Sequence, residues 1–278
     1  MRIVNLVENT EGREGCVFEH GLSFYIETEY HKALMDLGPS EAALNNAKFL
    51  GVDLTAVDTV ILSHGHYDHS GGIIPFSKIN SHAKIYMQSK ALGDYFADDG
   101  ENAEGERYRY IGIDKNISSL PQVVTIDGDK TLDDELEVFT IRSITHELPF
   151  TNKRLLIKTS DGFVRDDFTH EHFLVVNSGG KKVLLSGCAH NGILSIMDAY
   201  MEKYGSAPDA VVSGFHLMKK TEYRSDQEEE IRSIARELTE YPTKFFTCHC
   251  TGVPAYELMK EIMGDKLQYV HSGEEITL

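Results

Sequence analysis

The sequence predicts an α/β fold in which two mixed β-sheets lie between flanking helices. Two observations carry that expectation. In each half of the chain short apolar strand patterns come first and amphipathic helical patterns follow, the order expected of layers that must each bury one face. Several strands also stop at glycine-flanked loops bearing histidine, as in layered α/β proteins whose sites gather at the carboxyl ends of strands. A chain of 278 residues can bury a substantial core. We read it as one domain, 1–278, with a lid or insertion at about 90–120.

In chain order, Ile3, Val4, Leu6 and Val7 mark an opening strand at 2–8. Strands at 20–28 and 32–37 follow, the second stopping at the Gly38-Pro39 turn. Ser40 and an acidic first turn start a helix, with Leu44, Ala47 and Leu50 at helical spacing until Gly51 closes it. A helical turn at 53–57 leads into a strand at 59–62. A helix at 73–80 takes Pro75 in its first turn, and 83–87 is a strand. The stretch 90–120 is polar and punctuated by glycine, which predicts a lid rather than part of a sheet. It holds Arg107, Tyr108, Arg109 and Tyr110, open to two readings: a solvated edge or a substrate-facing set.

Strands are expected at 122–126 and 136–144, then an acidic loop at 161–172. Strands at 173–177 and 182–186 form a pair turned at Ser178-Gly179-Gly180. The remainder alternates: helix 193–204, strand 210–213, helix 227–241 with Ile231, Ile234 and Leu238 on one face, strand 244–247, helix 254–263, and strands at 267–270 and 275–278.

The formal net charge is −17. Binding a phosphate backbone needs clustered Lys and Arg, and none is evident, so a nucleic-acid partner is not expected. An anionic small molecule must be captured locally, by metal, helix N-termini or a few basic side chains. Met1–Asn5 shows no long apolar core or cleavage site, and no apolar run approaches a membrane span, so the expectation is a cytoplasmic protein without a membrane partner. Cys16, Cys188, Cys248 and Cys250 read as reduced thiols, because a chain with its own core does not need staples.

Residues 60–72, Val-Ile-Leu-Ser-His-Gly-His-Tyr-Asp-His-Ser-Gly-Gly, carry the chemistry. A lone histidine is most often a satisfied core or surface residue. Here His64, His66, Asp68 and His69 crowd the loop after an apolar strand, and that density suits zinc, iron or manganese. Three further strand ends carry Cys188 and His190, His216, and His249. Each has a glycine close by (Gly187, Gly214, Gly252) that lets the backbone turn sharply.

The His-x-His-x-Asp-His string, with the Leu34–Gly38 turn before it, resembles the metallo-β-lactamase superfamily over nearly the whole chain. The strings Gly-Cys-Ala-His-Asn-Gly-Ile (187–193), Gly-Phe-His-Leu (214–217) and Cys-His-Cys-Thr-Gly (248–252) resemble one subgroup. That subgroup comprises proteins like the dihydropterin-6-methyl-aminobenzene-ribofuranosyl-5'-phosphate synthase, related to enzymes of methanopterin assembly. The resemblance implies an αββα sandwich with two divalent metal ions at one rim, zinc first and iron or manganese as alternatives. It implies His64 and His66 on one metal with a third histidine, and Asp68, His69 and His249 on the other. The Gly-His-Thr-x-Gly-His string that supplies the third histidine in many members is absent, as is the Gly-Asp of the bridging carboxylate. His190 is the preferred replacement and His146, at a strand end, its competitor. Cys188 takes the bridging or second-metal place, or is a small buried hydrophobe.

By the same resemblance the activity is transfer of a dihydropterin-methyl group to an aminobenzene-ribofuranosyl phosphate with loss of pyrophosphate. The alternative is hydrolysis of a phosphodiester, thioester or lactone by a metal-bound hydroxide. His66 argues against the oxygen-reducing di-iron branch, where glutamate is typical. Asp68 would hold metal and orient the nucleophile. His216 would bind substrate or move a proton, with a structural histidine as the competing reading. Arg107 and Arg109, with Lys219 and Lys220, are candidates to neutralise phosphate. The expected partner is a small phosphorylated molecule; a homo-oligomer is left open.

Overall fold

The computed structural model describes residues 1–101 and 105–278. The chain begins with β1 (Arg2–Val7), β2 (Ser23–Glu27) and β3 (Lys32–Met35), then α1 (Ala42–Phe49), β4 (Thr59–Ile61), the one-turn α2 (Tyr67–Ser70), α3 (Ile73–Ile79) and β5 (Lys84–Gln88). It leaves this sheet for β6 (Tyr95–Asp98) and β7 (Tyr108–Tyr110) and returns as β8 (Val123–Ile126). β9 (Lys130–Thr131) and β10 (Leu136–Phe139) open the second sheet, and β11 (Leu155–Thr159) and β12 (Gly162–Arg165) join β6 and β7. The second sheet continues through β13 (Phe173–Ser178), β14 (Lys181–Ser186), α4 (Ile193–Tyr204), β15 (Ala210–Ser213), α5 (Ser225–Thr239), β16 (Lys244–Thr247), α6 (Val253–Met263) and β17 (Leu267–Tyr269). β18 (Glu275–Thr277) returns to the first sheet beside β1.

The strand orders are β18-β1-β2-β3-β4-β5-β8 and β17-β16-β15-β14-β13-β10-β9, with a small third sheet β12-β11-β6-β7. Hairpins make the antiparallel parts, and each helical crossover makes a parallel pair, because parallel neighbours need a long connection. α1 carries β3 to β4 and α3 carries β4 to β5, while α4, α5 and α6 link β14 through β17. Both large sheets are therefore mixed. Parallel pairing of β14, β15 and β16 also brings Cys188, His216 and His249, which follow those strands, to one edge.

Period-two alternation separates the apolar residues into three layers. Ile3, Phe24, Met35 and Ile61 from the first sheet meet Leu174, Val183, Val212 and Phe246 from the second in a central core. Between those positions, Leu34 and Val60 turn outward onto α1 and α3, and Leu184 and Val211 onto the α4–α6 layer. The layering is thus α, β, β, α. No helix among the described residues is long and apolar enough to cross a membrane.

Three expectations are corrected. The 90–120 stretch is not simply a lid: it contributes β6 and β7 to the third sheet, where Ala97 opposes Leu155 and Phe96 opposes Tyr110. Its partner strand lies far along the chain, so no local periodicity could announce the pairing. Residues 102–104 of that stretch lie outside the described residues. The acidic segment 161–172 contains β12, and the strand expected to run to 144 ends at Phe139.

Phe24 is fully buried between the two sheets. Phe24→Ala should cost about 3–5 kcal/mol by lost transfer energy and residual cavity, read from the urea midpoint of the metal-free protein at unchanged m-value.

Candidate metal centre

The rim is organised by one carboxylate. Asp36, just past β3, is fully buried with φ of 62°. Its Oδ1 accepts the Ser63 backbone N–H at 2.7 Å, and its Oδ2 accepts the Ser63 hydroxyl at 2.7 Å and lies 2.6 Å from His69 Nδ1. A carboxylate there only accepts, so Nδ1 of His69 carries a proton and its Nε2 is the nitrogen left to meet a metal. The Ser63 oxygen in turn lies 2.8 Å from His64 Nδ1. Its own proton is committed to Asp36, so His64 donates to it and is held in the same tautomer.

Two asparagines repeat this device. Asn152 donates from Nδ2 to the His190 carbonyl at 2.7 Å, which leaves its Oδ1 to accept from His190 Nδ1 at 3.1 Å. Asn9 does the same for His249, at 3.2 Å to the carbonyl and 2.7 Å to Nδ1. The Nε2 atoms of His64, His66, His190 and His249 are all buried without a hydrogen-bond partner among the described residues. An unmade hydrogen bond on a buried group costs about 1–3 kcal/mol. Clustered lone pairs with their outer nitrogens tethered are what a divalent cation satisfies, so the residues fit the metal that the sequence implies.

His64, His66 and His190 offer ligand atoms within 4.8 Å of one another. Beside them, Asp68 Oδ2 lies 3.5 Å from His249 Nε2 and 3.8 Å from His69 Nε2. Cys188 Sγ, 3.2 Å from His69 Nε2, also groups with His64 and His69, between the two sets. The structure therefore brings together His64, His66, Asp68, His69, His190, His249 and Cys188. It does not bring in His146. That side chain lies 3.0 Å from Asp198 and 3.8 Å from Glu237, on the α4–α5 side.

In the set of His64, His66 and His190 protonation favours ligation. Burial, reinforced by neighbouring imidazoles, pulls His64 and His190 well below the usual histidine range and His66 to about 3. Burial would raise Asp68, but His69 and His249 outweigh it and hold the carboxylate ionised. For His69 burial is outweighed by Asp36 and Asp68, and the group is lifted to about 9, so a metal arriving at its Nε2 displaces a proton.

The donors open into a small cleft. His216 lines it, with φ of 49°, its ring centroid 4.1 Å from that of His190 and its Nδ1 buried without a hydrogen-bond partner among the described residues. Arg109 lines the cleft too, joined by Arg154, and both pair with Asp99, Arg109 at 2.7 Å. Arg107 is turned away onto Asp98 at 2.6 Å, and Lys219 donates to Gln227 at 2.9 Å; neither lines the cleft.

Sequence reading missed the groups that brace the ligands. His20 places Nε2 3.5 Å from Asp68 Oδ2. The segment 166–172 passes behind the first set. Phe168 stacks on His190 at 4.8 Å and 3°, and His170 Nδ1 accepts the Gly65 N–H at 2.9 Å. Glu171 accepts the backbone N–H groups of His190 and Asn191 at 2.8 and 2.9 Å. The run Asp-Asp-Phe-Thr-His-Glu-His was a visible cluster of titratable residues, yet nothing local tied it to a particular loop. Among the described residues the non-glycine positive-φ positions are Asp36, Phe168, Ala189, His216 and His249, all on this rim. Each costs on the order of 1–3 kcal/mol, a strain that gathers at functional sites.

An αββα sandwich with paired imidazole clusters at one rim defines a class, and sequence comparison agrees with it. Residues 17–236 match the family model of the Metallo-beta-lactamase superfamily, and the chain belongs to that superfamily. It is 28% identical over 290 residues to the 7,8-dihydropterin-6-methyl-4-(beta-D-ribofuranosyl)-aminobenzene-5'-phosphate synthase of Methanocaldococcus jannaschii, covering 99% of this chain and 96% of that one. Among solved structures it is similar to Tm1679, described as a metal-dependent hydrolase of the beta-lactamase superfamily, with 26% identity, a TM-score of 0.81 and coverage of 100% and 99%. Zn(2+)-bound PqqB from Methylobacterium extorquens, 14% identical with a TM-score of 0.55 and full coverage of both chains, shares the fold.

Two outcomes follow. Asp36→Asn leaves His69 and Ser63 without their anchor and should weaken zinc binding about 10–100-fold in competition with a chelator. In the metal-free chain, His66 at about 3 and His172, which burial holds at about 4, bind fewer protons folded than unfolded. Stability therefore falls as pH drops below 6.5. His69 acts oppositely: its contribution is full below 6.5 and is lost as pH rises through about 9. Melting temperatures of metal-free protein across pH should show both limbs, and Asp36→Asn should flatten the alkaline one.

Proposed function

We propose that this chain is a two-metal transferase that joins a dihydropterin-methyl group to an aminobenzene-ribofuranosyl phosphate with loss of pyrophosphate. The observation that carries the reading is two adjoining donor sets facing a cleft whose wall holds Arg109 and Arg154. Full-length similarity to the Methanocaldococcus jannaschii synthase supports the substrate class. His64, His66 and His190 would hold one divalent ion, and Asp68, His69 and His249, with Cys188 between the sets, the other. Bound there, such ions supply charge neutralisation for phosphoryl oxygens and a departing pyrophosphate.

The chain's own residues do the rest. Arg109 and Arg154 already share Asp99, and a phosphate can take that carboxylate's place with better-matched charge. In the transfer the arylamine nitrogen bonds to the pterin methylene carbon while the carbon–oxygen bond to pyrophosphate breaks. One amine proton must leave. His216, which lines the cleft and whose Nδ1 has no hydrogen-bond partner among the described residues, would take it. Asp68 stays ionised and orients the groups around it.

Hydrolysis is the second reading, supported by the likeness to a structure described as a metal-dependent hydrolase. The two separate cleanly. Transfer requires the arylamine for pyrophosphate release, whereas hydrolysis puts oxygen from labelled water into the organic product without any acceptor. Pyrophosphate release indifferent to the arylamine would overturn the transferase reading.

Arg154→Ala should raise KM for the phosphorylated acceptor about tenfold to a hundredfold at nearly constant kcat, the loss of one charge-assisted hydrogen bond. His216→Gln should lower kcat by about 10²–10⁴ with metal content unchanged.

A further inference from the structure

We infer that Cys250 joins Cys188 as a thiolate donor at the second metal position, so that this position selects a thiophilic divalent ion over manganese or magnesium. The inference rests on the metal-dependent reading above and assigns a ligand to the same site.

Cys188 and Cys250 are buried, unpaired and on the cleft wall. Ligand atoms of Cys188, Cys250 and His249 lie within 4.8 Å of one another. Cys188 Sγ touches His69 Nε2 at 3.2 Å, and Cys250 Sγ lies 3.6 Å from the Cys188 carbonyl. The sulfurs thus sit among the nitrogens that surround Asp68. The other thiols differ. Cys248 is packed in the core between the sheets, and Cys16 is only partly buried beside Gly273.

Gly214 is the second observation. It ends β15 without a positive φ, so its backbone does not require glycine. A Cβ there would come within 2.5 Å of Cys250 Sγ and 3.0 Å of the Gly187 carbonyl. The glycine therefore leaves room for this sulfur on the cleft side of the rim.

Two sulfurs at about 2.3 Å from one ion, near a tetrahedral angle from each other, stand roughly 3.8 Å apart, so donors within the observed spacing close on an ion by small side-chain rotations. Each thiol releases its proton on binding. Soft thiolates favour zinc or cobalt(II) over manganese and magnesium. Three neutral imidazoles leave the first ion its full charge, whereas Asp68 and two thiolates outweigh the charge of the second, which makes the first the stronger electrophile.

The test uses the full chain, stripped of metal and reloaded with cobalt(II), reading bound cobalt by elemental analysis and the thiolate-to-cobalt charge-transfer band in the near ultraviolet. The expected result is a band that falls to about half in Cys250→Ser and in Cys188→Ser and vanishes in the double variant, as two thiolates are removed in turn. A full band in Cys250→Ser, or bound cobalt with no band in the unaltered chain, overturns the inference and leaves the metal-dependent reading standing. Failure to bind cobalt overturns that reading as well. Because a variant can misfold, zinc-edge X-ray absorption of the unaltered protein is measured in parallel. An average of about one sulfur per zinc without a sulfur-bridged zinc pair, or about one and a half with one, supports two thiolates over two ions; about half a sulfur, none, or only one per zinc in a sulfur-bridged pair overturns them.

Discussion

Burying several imidazole nitrogens together with no proton to accept is the constraint on which this rim depends. Left alone, His64, His66, His190 and His249 would each carry a desolvated lone pair, and collapse onto water or a neighbouring donor would be favourable. The structure prevents this by tying down the opposite nitrogens of three of those rings, His64 by Ser63, His190 by Asn152 and His249 by Asn9. His69, held by Asp36, completes the pattern. Orientation and tautomer are set before any cation arrives, which is how outer-layer hydrogen bonds raise metal affinity.

The supports come from places remote in sequence. Asn9 follows β1, Asp36 follows β3, Asn152 precedes β11, and the 166–172 segment reaches the rim from the third sheet. Each large sheet delivers candidate ligands from the carboxyl ends of its parallel strands, and the central apolar layer keeps those ends in register. The strained backbone at Asp36, Ala189, His216 and His249 persists because this packing over-determines it. Stability stored in the core is thus spent on geometry at the edge.

Charge is arranged with similar economy. The chain is strongly acidic, yet the cleft wall bears Arg109 and Arg154. Asp99 pairs with both. A small anion meets local positive charge inside an overall acidic field.

The sequence by itself determined the layered α/β class, because alternation and helical spacing are local properties, and it determined the main ligand string, because His64, His66, Asp68 and His69 are neighbours in the chain. It also pointed to Cys188, His190, His216 and His249, since each follows a strand. Tertiary structure decided what depends on distance in space. It set His190 beside His64 and His66, and it carried His146 off to Asp198. It turned Arg107 onto Asp98 and brought in Arg154 to line the cleft with Arg109. It made strands of a stretch that read as a lid, because β6 and β11 pair only once the chain has folded back. A histidine's neighbours along the chain say that it can bind a metal; whether its lone pair faces others, and which nitrogen is free, is settled by hydrogen bonds from residues that no local pattern links to it.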